Sequence, residues 1–519
     1  MNMRKKYFIS LLLLLALITV PLFAGNFDYA VALRYAILFY DANRCGPDAG
    51  VDNVFDWRGP CHLNDGEDVG LDLTGGFHDA GDHVKFGLPQ AYAAGVLGWS
   101  MYKYKDVFQE TGTYQKLLST LKYFTDYLLK CHPDSGTFYY QVGDGGEDHA
   151  YWGPPEEQTG YRPALYVANS SNPASDVLGM TSAALTLMYL NYRDIDAGYA
   201  ARCLQAAREL YQMGRNNPGY CAVSAYYISS SYYDDLAWAA AWLYIVDGDE
   251  QYLEDAENFV LERNRNGDNP LQHRWTMCWD DMYLPAIFKL YQITGKDLYK
   301  NALEYNLDYW MNSLETTPGG LKYLDSWGVL RYAMAESLLA LAYYRETGRE
   351  SLREFAKSQL DYVLGDNPAN MSYLIGFGNR WSLHPHHRAA NGYTYANGDN
   401  QKEAKHLLLG ALVGGPDRND NFIDDVNQYQ YTEVAIDYNA GLVGVLAGIL
   451  DDTEPGQNDV VIGDLNGDRI VNSLDYVLMR RYLLNIDVDI FHRGADLNDD
   501  NMINSLDYVL LRRILLNID

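Results

Sequence analysis

Across residues 26–451 apolar positions recur at three- and four-residue spacing, the mark of amphipathic helices. Met180–Tyr192, Leu236–Val246, Ser337–Glu346 and Ala435–Leu450 are the clearest cases. Strict alternation of apolar and polar residues is rare, so the pattern predicts an all-α domain of about 425 residues. Long stretches rich in Gly, Asn, Asp and Tyr separate the helices, notably 143–163 and 376–402. Loops of that length in a helical domain are expected to carry function.

Both ends of the chain break the pattern. Arg4, Lys5 and Lys6 precede an apolar run from Tyr7 to Val20, and Ala24 follows as a small residue, so a secretory signal over 1–24 is expected. The run is short for a membrane span. Residues 452–459 (DTEPGQND) have linker composition. Beyond them the segment 464–484 (DLNGDRIVNSLDYVLMRRYLL) recurs at 496–516 as DLNDDNMINSLDYVLLRRILL, which makes 460–519 a separate module of two repeats.

Charge and composition narrow the function. Lys+Arg 40 against Asp+Glu 69 gives a net charge of −29, a surface that repels phosphate backbones and argues against nucleic acid as a partner. The 45 Tyr and 10 Trp supply flat faces that stack on sugar rings as well as on core neighbours. Six cysteines in 519 residues do not form a disulfide scaffold, and Cys131, Cys203, Cys221 and Cys278 fall in helical or apolar segments where buried thiols are expected.

The repeats have the spacing of calcium loops. Asp464, Asn466, Asp468, Asn472 and Asp475 occupy loop positions 1, 3, 5, 9 and 12, and Asp496, Asn498, Asp500, Asn504 and Asp507 do the same in the second repeat. The carbonyls of Ile470 and Met502 fall at position 7. Three further motifs lie in the helical domain. In Gly75–Phe86 (GGFHDAGDHVKF) two carboxylates, Asp79 and Asp82, stand three apart among small residues and can share one water. Pro385-His386-His387-Arg388 sits in a Gly/Asn-rich loop, and Phe422-Ile423-Asp424-Asp425 is followed by Tyr429, Glu433 and Asn439. Separated carboxyl sets with a His and an Arg in loops point to glycoside hydrolysis.

The duplicated tail resembles a dockerin, the calcium-dependent module that plugs into cohesin domains of a scaffold protein. That resemblance implies cohesin recognition by Ser473, Leu474, Arg480 and Arg481, and equally by Ser505, Leu506, Arg512 and Arg513. The three upstream motifs, met in chain order, resemble glycoside hydrolase family 9, the cellulase family with an (α/α)6 barrel. By that resemblance Asp82 is the general base, Asp79 helps to hold the attacking water, and Glu433 is the general acid. His386 and Arg388 bind the sugar before the scissile bond, and Asp424 supports the acid motif. The family inverts the anomeric centre, which implies carboxyl groups about 6.5–9.5 Å apart and an acid whose pKa is raised by its surroundings.

The same resemblance places His149, Trp152, Tyr226, Trp275 and Trp327 at the substrate cleft, with Tyr151 where many members have Trp. It also implies a calcium site at Ser230, Ser231, Asp234, Asp235 and Asp280, and a zinc site at Cys45, Cys61, His62 and His78. A Cys45–Cys61 disulfide is the alternative to zinc. The expected activity is hydrolysis of internal β-1,4 bonds of cellulose by a secreted, scaffold-docked enzyme. A related β-glucanase on xyloglucan or mixed-linkage glucan, a chain-end enzyme, and an inactive carbohydrate-binding subunit are the alternatives.

Overall fold

The computed structural model describes residues 27–222, 226–262, 269, 271–395, 399–451, 462–465, 470–486, 488, 490, 492–498 and 502–516. The expected signal (1–24), the linker (452–459) and the calcium-loop residues Asn466, Asp468 and Asp500 lie outside the described residues.

Among the described residues of 27–451, twelve long helices alternate between two layers. The outer ones are α1 (Tyr29–Leu38), α3 (Tyr114–Lys130), α5 (Ala197–Asn216), α7 (Glu250–Glu262), α9 (Asp297–Asn312) and α11 (Glu350–Leu364). The inner ones are α2 (Gly87–Lys103), α4 (Ser175–Tyr192), α6 (Tyr233–Asp247), α8 (Tyr283–Thr294), α10 (Val329–Thr347) and α12 (Ile436–Leu450). Each inner helix touches the next, and α12 touches α2, so the six close into a ring. Outer helices back them one to one, with α1 against α12 and α3 against α2. This is an (α/α)6 barrel.

The layers explain one departure from the periodicity. Met180–Tyr192, Leu236–Val246, Ser337–Glu346 and Ala435–Leu450, expected as amphipathic, belong to inner helices that are buried almost all round. A helix between a ring neighbour on each side and an outer helix behind has little face left for water. The truly amphipathic helices are outer ones such as α3, which buries Leu117, Leu121, Phe124 and Leu128 and exposes the opposite side. A small antiparallel sheet of β1 (Lys85–Phe86), β2 (Phe138–Val142) and β3 (Ala164–Ala168) qualifies the all-α expectation.

Chain order also positions the site. Every inner helix is entered from an outer one, so the loops leading into inner helices gather at one end of the barrel. Asp79 and Asp82 precede α2, Tyr226 and Tyr227 precede α6, Trp279 precedes α8, Trp327 precedes α10, and Glu433 precedes α12.

In the tail, α13 (Ser473–Leu483) and α14 (Ser505–Leu515) pack on each other around Leu465, Leu478, Met479 and Leu511. Tyr476 stacks on its repeat mate Tyr508 with ring centroids 4.3 Å apart. The repeats are not equivalent in their surroundings. Arg481 Nη1 lies 3.2 Å from Glu250 Oε1, and Leu474 lies against Gly248 at the α6–α7 turn, whereas Leu506, Arg512 and Arg513 are exposed.

Candidate active site

Backbone hydrogen bonds tie the three motifs together. Arg388 N donates to Gly81 O at 3.0 Å, Ile436 N to Asp79 O at 2.9 Å, and His386 N to Thr432 O at 2.9 Å. Together they bound a cavity of about 610 Å³ lined by Asp79, Asp82, His149, Trp152, His386 and Glu433, among others.

On one side stand the paired aspartates. Tyr227 Oη donates to Asp79 Oδ2, while Asp79 Oδ1 is buried without a hydrogen-bond partner. Burial, and after it the charge of Asp82, holds the Asp79 carboxyl well above the usual carboxylate range. Loss of water and a second carboxyl close by both disfavour a charge on Asp79. Ala80 N and His149 Nε2 approach Asp82, the latter at 3.1 Å from Oδ2, and Tyr226 Oη is 2.9 Å from His149 Nδ1. Burial works against a charged His149, but the hydrogen bond to Asp82 and the charge of Asp82 together outweigh it, and the imidazole pKa is raised.

Glu433 also lines the cavity. Trp327 Nε1 donates to its Oε2 at 2.6 Å and Tyr438 Oη donates to the same oxygen at 3.0 Å. Burial raises its pKa, and these two bonds and Arg331 only partly offset the rise. Arg331 is itself engaged by Asp437, Nη1 to Oδ2 at 3.2 Å.

His386 is held down to about 4 by burial, with its Nδ1 2.6 Å from Val426 O. It is therefore neutral, donates through Nδ1, and keeps an unprotonated Nε2. Arg388 Nη1 donates to Asp148 Oδ2 at 2.7 Å, and the guanidinium lies 5.7 Å from the Trp152 ring centre. Trp152 Nε1 is fixed by Asn391 Oδ1 at 2.9 Å.

Two expected residues do not reach the cavity. Asp424, expected with the catalytic set, accepts from Ser382 Oγ, Leu383 N and His384 N, so its carboxylate is spent on shaping the loop ahead of His386. Trp275 is half-buried edge-on against Tyr332, centroids 5.4 Å apart, and Trp279 lines the cavity instead. Tyr227, Trp279, Arg331 and Tyr438 line the cavity and carry no spacing signal in the sequence. Only the buried Arg331–Asp437 pair, one on the first turn of each of two apolar helices, offered a hint.

The Cys/His group is assembled. Donor atoms of Cys45, Cys61, His62 and His78 all lie within 4.8 Å of one another. Cys45 Sγ is 3.4 Å and His78 Nε2 is 3.0 Å from His62 Nδ1. Tetrahedral zinc spaces its ligands by about 3.3–3.8 Å, and two thiols and two imidazoles whose separations bracket that range are a donor set of the kind it takes. Both cysteines are free thiols. A hydrogen bond with Cys45 and, against burial, the nearby Arg58 guanidinium bring the Cys61 thiol down to about 7. His62 adopts φ 51°, a left-handed backbone that a non-glycine residue rarely takes.

In the barrel's acidic group Asp234 and Asp235 are buried, and Asp235 Oδ1 has no hydrogen-bond partner. Ser230 N donates to Asp280 Oδ1 at 2.6 Å, yet burial, with the charge of Asp234, pushes the Asp280 carboxyl up to about 7. Ser231 caps the turn into α6, its Oγ accepting from Tyr233 N. In the tail Asp464, Asp475 and Asp507 are wholly buried. Asp475 accepts from Leu465 N and Asn472 N, and Asp507 accepts from Leu497 N and Asn504 N in the same pattern. Asn472 and Asn504 cap α13 and α14, while Asp496 and Asn498 are more open to solvent.

Residues 29–446 match the model of Glycosyl hydrolase family 9, and residues 462–516 match the Dockerin type I domain. Endoglucanase A of Bacillus pumilus is 40% identical over 455 residues, covering 84% of this chain and 68% of that protein. The solved cellulase Cel9M of C. cellulolyticum in complex with cellobiose is 64% identical, with a TM-score of 0.81 over 82% of this chain and 99% of Cel9M. A termite endoglucanase from Nasutitermes takasagoensis is 38% identical, with a TM-score of 0.77 over 82% of this chain and 99% of that one. The chain belongs to glycosyl hydrolase family 9 and carries a type I dockerin domain at residues 462–516.

Proposed function

We propose that this chain is a secreted endo-β-1,4-glucanase that cleaves cellulose with inversion and is carried on a scaffold through its dockerin. The observation that carries the reading is the division of labour among the buried carboxyls. Burial shifts Asp79 and Glu433 toward their protonated forms, while Asp82 is held by Ala80 N and by His149 Nε2 at 3.1 Å, placed to take a proton. In the proposed step, Asp82 takes a proton from a water steadied by Asp79. The water oxygen bonds to the anomeric carbon while that carbon's bond to the glycosidic oxygen breaks, and Glu433 delivers its proton to the departing oxygen. Both donors to Glu433 reach Oε2, which leaves Oε1 to carry that proton toward the sugar. His386 and Arg388, with Trp152 behind them, bind the sugar ahead of the scissile bond. Tyr226, Trp327 and His149 complete the walls.

The metals extend the reading. Zinc on Cys45, Cys61, His62 and His78 would staple the loop that ends in Asp79 and Asp82. Calcium on Ser230, Ser231, Asp234, Asp235 and Asp280 would relieve the acids crowded at the start of α6. The dockerin loops would take two further calcium ions, and the Ser-Leu and Arg-Arg positions of α13 and α14 would meet a cohesin. The units proposed are 1–24 signal, 26–451 catalytic domain, 452–459 linker and 460–519 dockerin.

Proton NMR of a fresh β-1,4-glucan hydrolysate tests the chemistry, with the α-anomer expected first. An initial β-anomer would sink the single displacement. Glu433→Gln and Asp82→Asn should each lose about 10²–10⁴-fold in turnover while still binding oligosaccharide. Retention of more than about a tenth of the activity in either variant would contradict its role.

A further inference from the structure

A chain of hydrogen bonds runs from the Cys/His group through Gln158 to Asp148, and the backbone from Asp148 to His149 carries it on to the catalytic base. His62 Nε2 is 2.9 Å and His83 Nδ1 is 3.1 Å from Gln158 Oε1. Gln158 Nε2 donates to Asp148 Oδ1 at 2.9 Å. The other oxygen of Asp148 accepts from Arg388 Nη1 at 2.7 Å and from His83 N at 3.1 Å. The next residue, His149, is the one that reaches Asp82.

The directions along this chain are mutually consistent. An amide oxygen only accepts, so both imidazoles give Gln158 an N–H, and its amide nitrogen is then the donor to Asp148. A neutral His62 that donates through Nε2 has its lone pair on Nδ1. That is the atom 3.4 Å from Cys45 Sγ and 3.0 Å from His78 Nε2. Gln158 thus selects the tautomer of His62 that can ligate a metal. A cation on Nδ1 would in turn polarise the Nε2–H and tighten its bond to Gln158.

We propose that Gln158 is a positioning residue that couples the metal site to the sugar-binding Arg388 and the base-bound His149 through Asp148. The proposal rests on the zinc reading given above. By linkage the coupling is reciprocal. Bound zinc should strengthen oligosaccharide binding, and bound oligosaccharide should strengthen zinc binding by the same factor, at least about fivefold for a coupling of ordinary size.

The test uses the full chain and two ligands, zinc and cellobiose. Zinc affinity is measured by competition with a chelator, with and without saturating cellobiose. Cellobiose affinity is measured by titration calorimetry, with zinc and after its removal. In the unmutated chain the two ratios should agree and exceed about five. In Gln158→Leu zinc should bind more weakly, by about 10–100-fold, the usual effect of losing an outer-sphere partner, and both ratios should fall to one. Gln158→Asn keeps the amide but withdraws it by one methylene. It should show the same loss of coupling and serves if the Leu variant does not fold. Zinc binding with ratios of one in the unmutated chain would refute the relay and leave the zinc site standing. Ratios unchanged in both Gln158 variants would refute the part given to Gln158. Absence of zinc, or a Cys45–Cys61 disulfide by mass spectrometry, would overturn the site and the relay together.

Discussion

Gly81 lies so close to the carbonyl of His386 that a β-carbon at position 81 would stand 2.0 Å from that oxygen. The contact joins the loop of paired aspartates to the loop of His386 and Arg388, and the hydrogen bond from Arg388 N to Gly81 O runs beside it. No flexible side chain is available to give way, since the obstructing atom is backbone.

Gly81→Ala should therefore force the two loops apart. The expected result is a folded protein destabilised by about 1–3 kcal/mol, as for other overpacked sites, with a turnover loss well beyond what that destabilisation explains. Thermal unfolding and initial rates on soluble cellulose derivative measure the two effects. An Ala variant with unchanged rate would show that the spacing of the loops does not matter to the chemistry.

The indole N–H of Trp327 stabilises the ionised form of Glu433 and so opposes the rise that burial produces. Trp327→Phe removes the donor and keeps an aromatic face. The pKa of Glu433 should then rise, and since the proposed step needs this carboxyl protonated, the alkaline limb of kcat/KM should move to higher pH. A limb that stayed in place or moved down would separate Trp327 from the titration of the acid.

Glu336, in the middle of α10, is wholly buried, and the Thr276 side chain only partly offsets the cost of charging it. Burial pushes its pKa from 4.5 up to about 8. The unfolded chain releases this proton near pH 4.5, while the folded chain holds it to about pH 8. Its penalty is thus absent below the lower value, grows as pH rises between the two, and is constant above the upper one. Glu336→Gln should be more stable than the unmutated chain at pH 8, and the advantage should shrink as pH falls toward 4.5. Denaturant midpoints across that range test this, and a constant difference would place the cause elsewhere.

The two dockerin repeats present unequal faces. Arg481 is paired with Glu250 and Leu474 rests against Gly248, while Leu506 is 49% exposed and Arg512 and Arg513 are open. Replacing Arg512 and Arg513 by Ala should weaken cohesin binding more than the same change at Arg480 and Arg481. Calcium chelation should abolish binding by either face, since so small a two-helix core depends on its metals. Calorimetry with a cohesin decides it. Equal losses from the two pairs, or a larger one from the first repeat, would refute the asymmetry.

Much of this architecture was legible in the residues alone because its signals are local. Helical period, the 32-residue offset of the tail repeats, and the motifs around Asp79, His386 and Glu433 are all short-range patterns in the chain. The grouping of Cys45, Cys61, His62 and His78 was reached only through resemblance, and tertiary structure supplies its distances. Which apolar helices are inner ones depends on closure of the ring, where a helix is judged by what surrounds it and not by its own period. Trp275 and Trp279 stand four apart in one segment, and only the tertiary structure puts Trp279 at the cavity and Trp275 against Tyr332. Asp424 looks as catalytic as Asp82 in a string of letters, until its oxygens are found occupied by Ser382, Leu383 and His384. Sequence carries the inventory of acids, imidazoles and rings. Burial and partners, which set each pKa and each free oxygen, come mostly from contacts between segments tens to hundreds of residues apart.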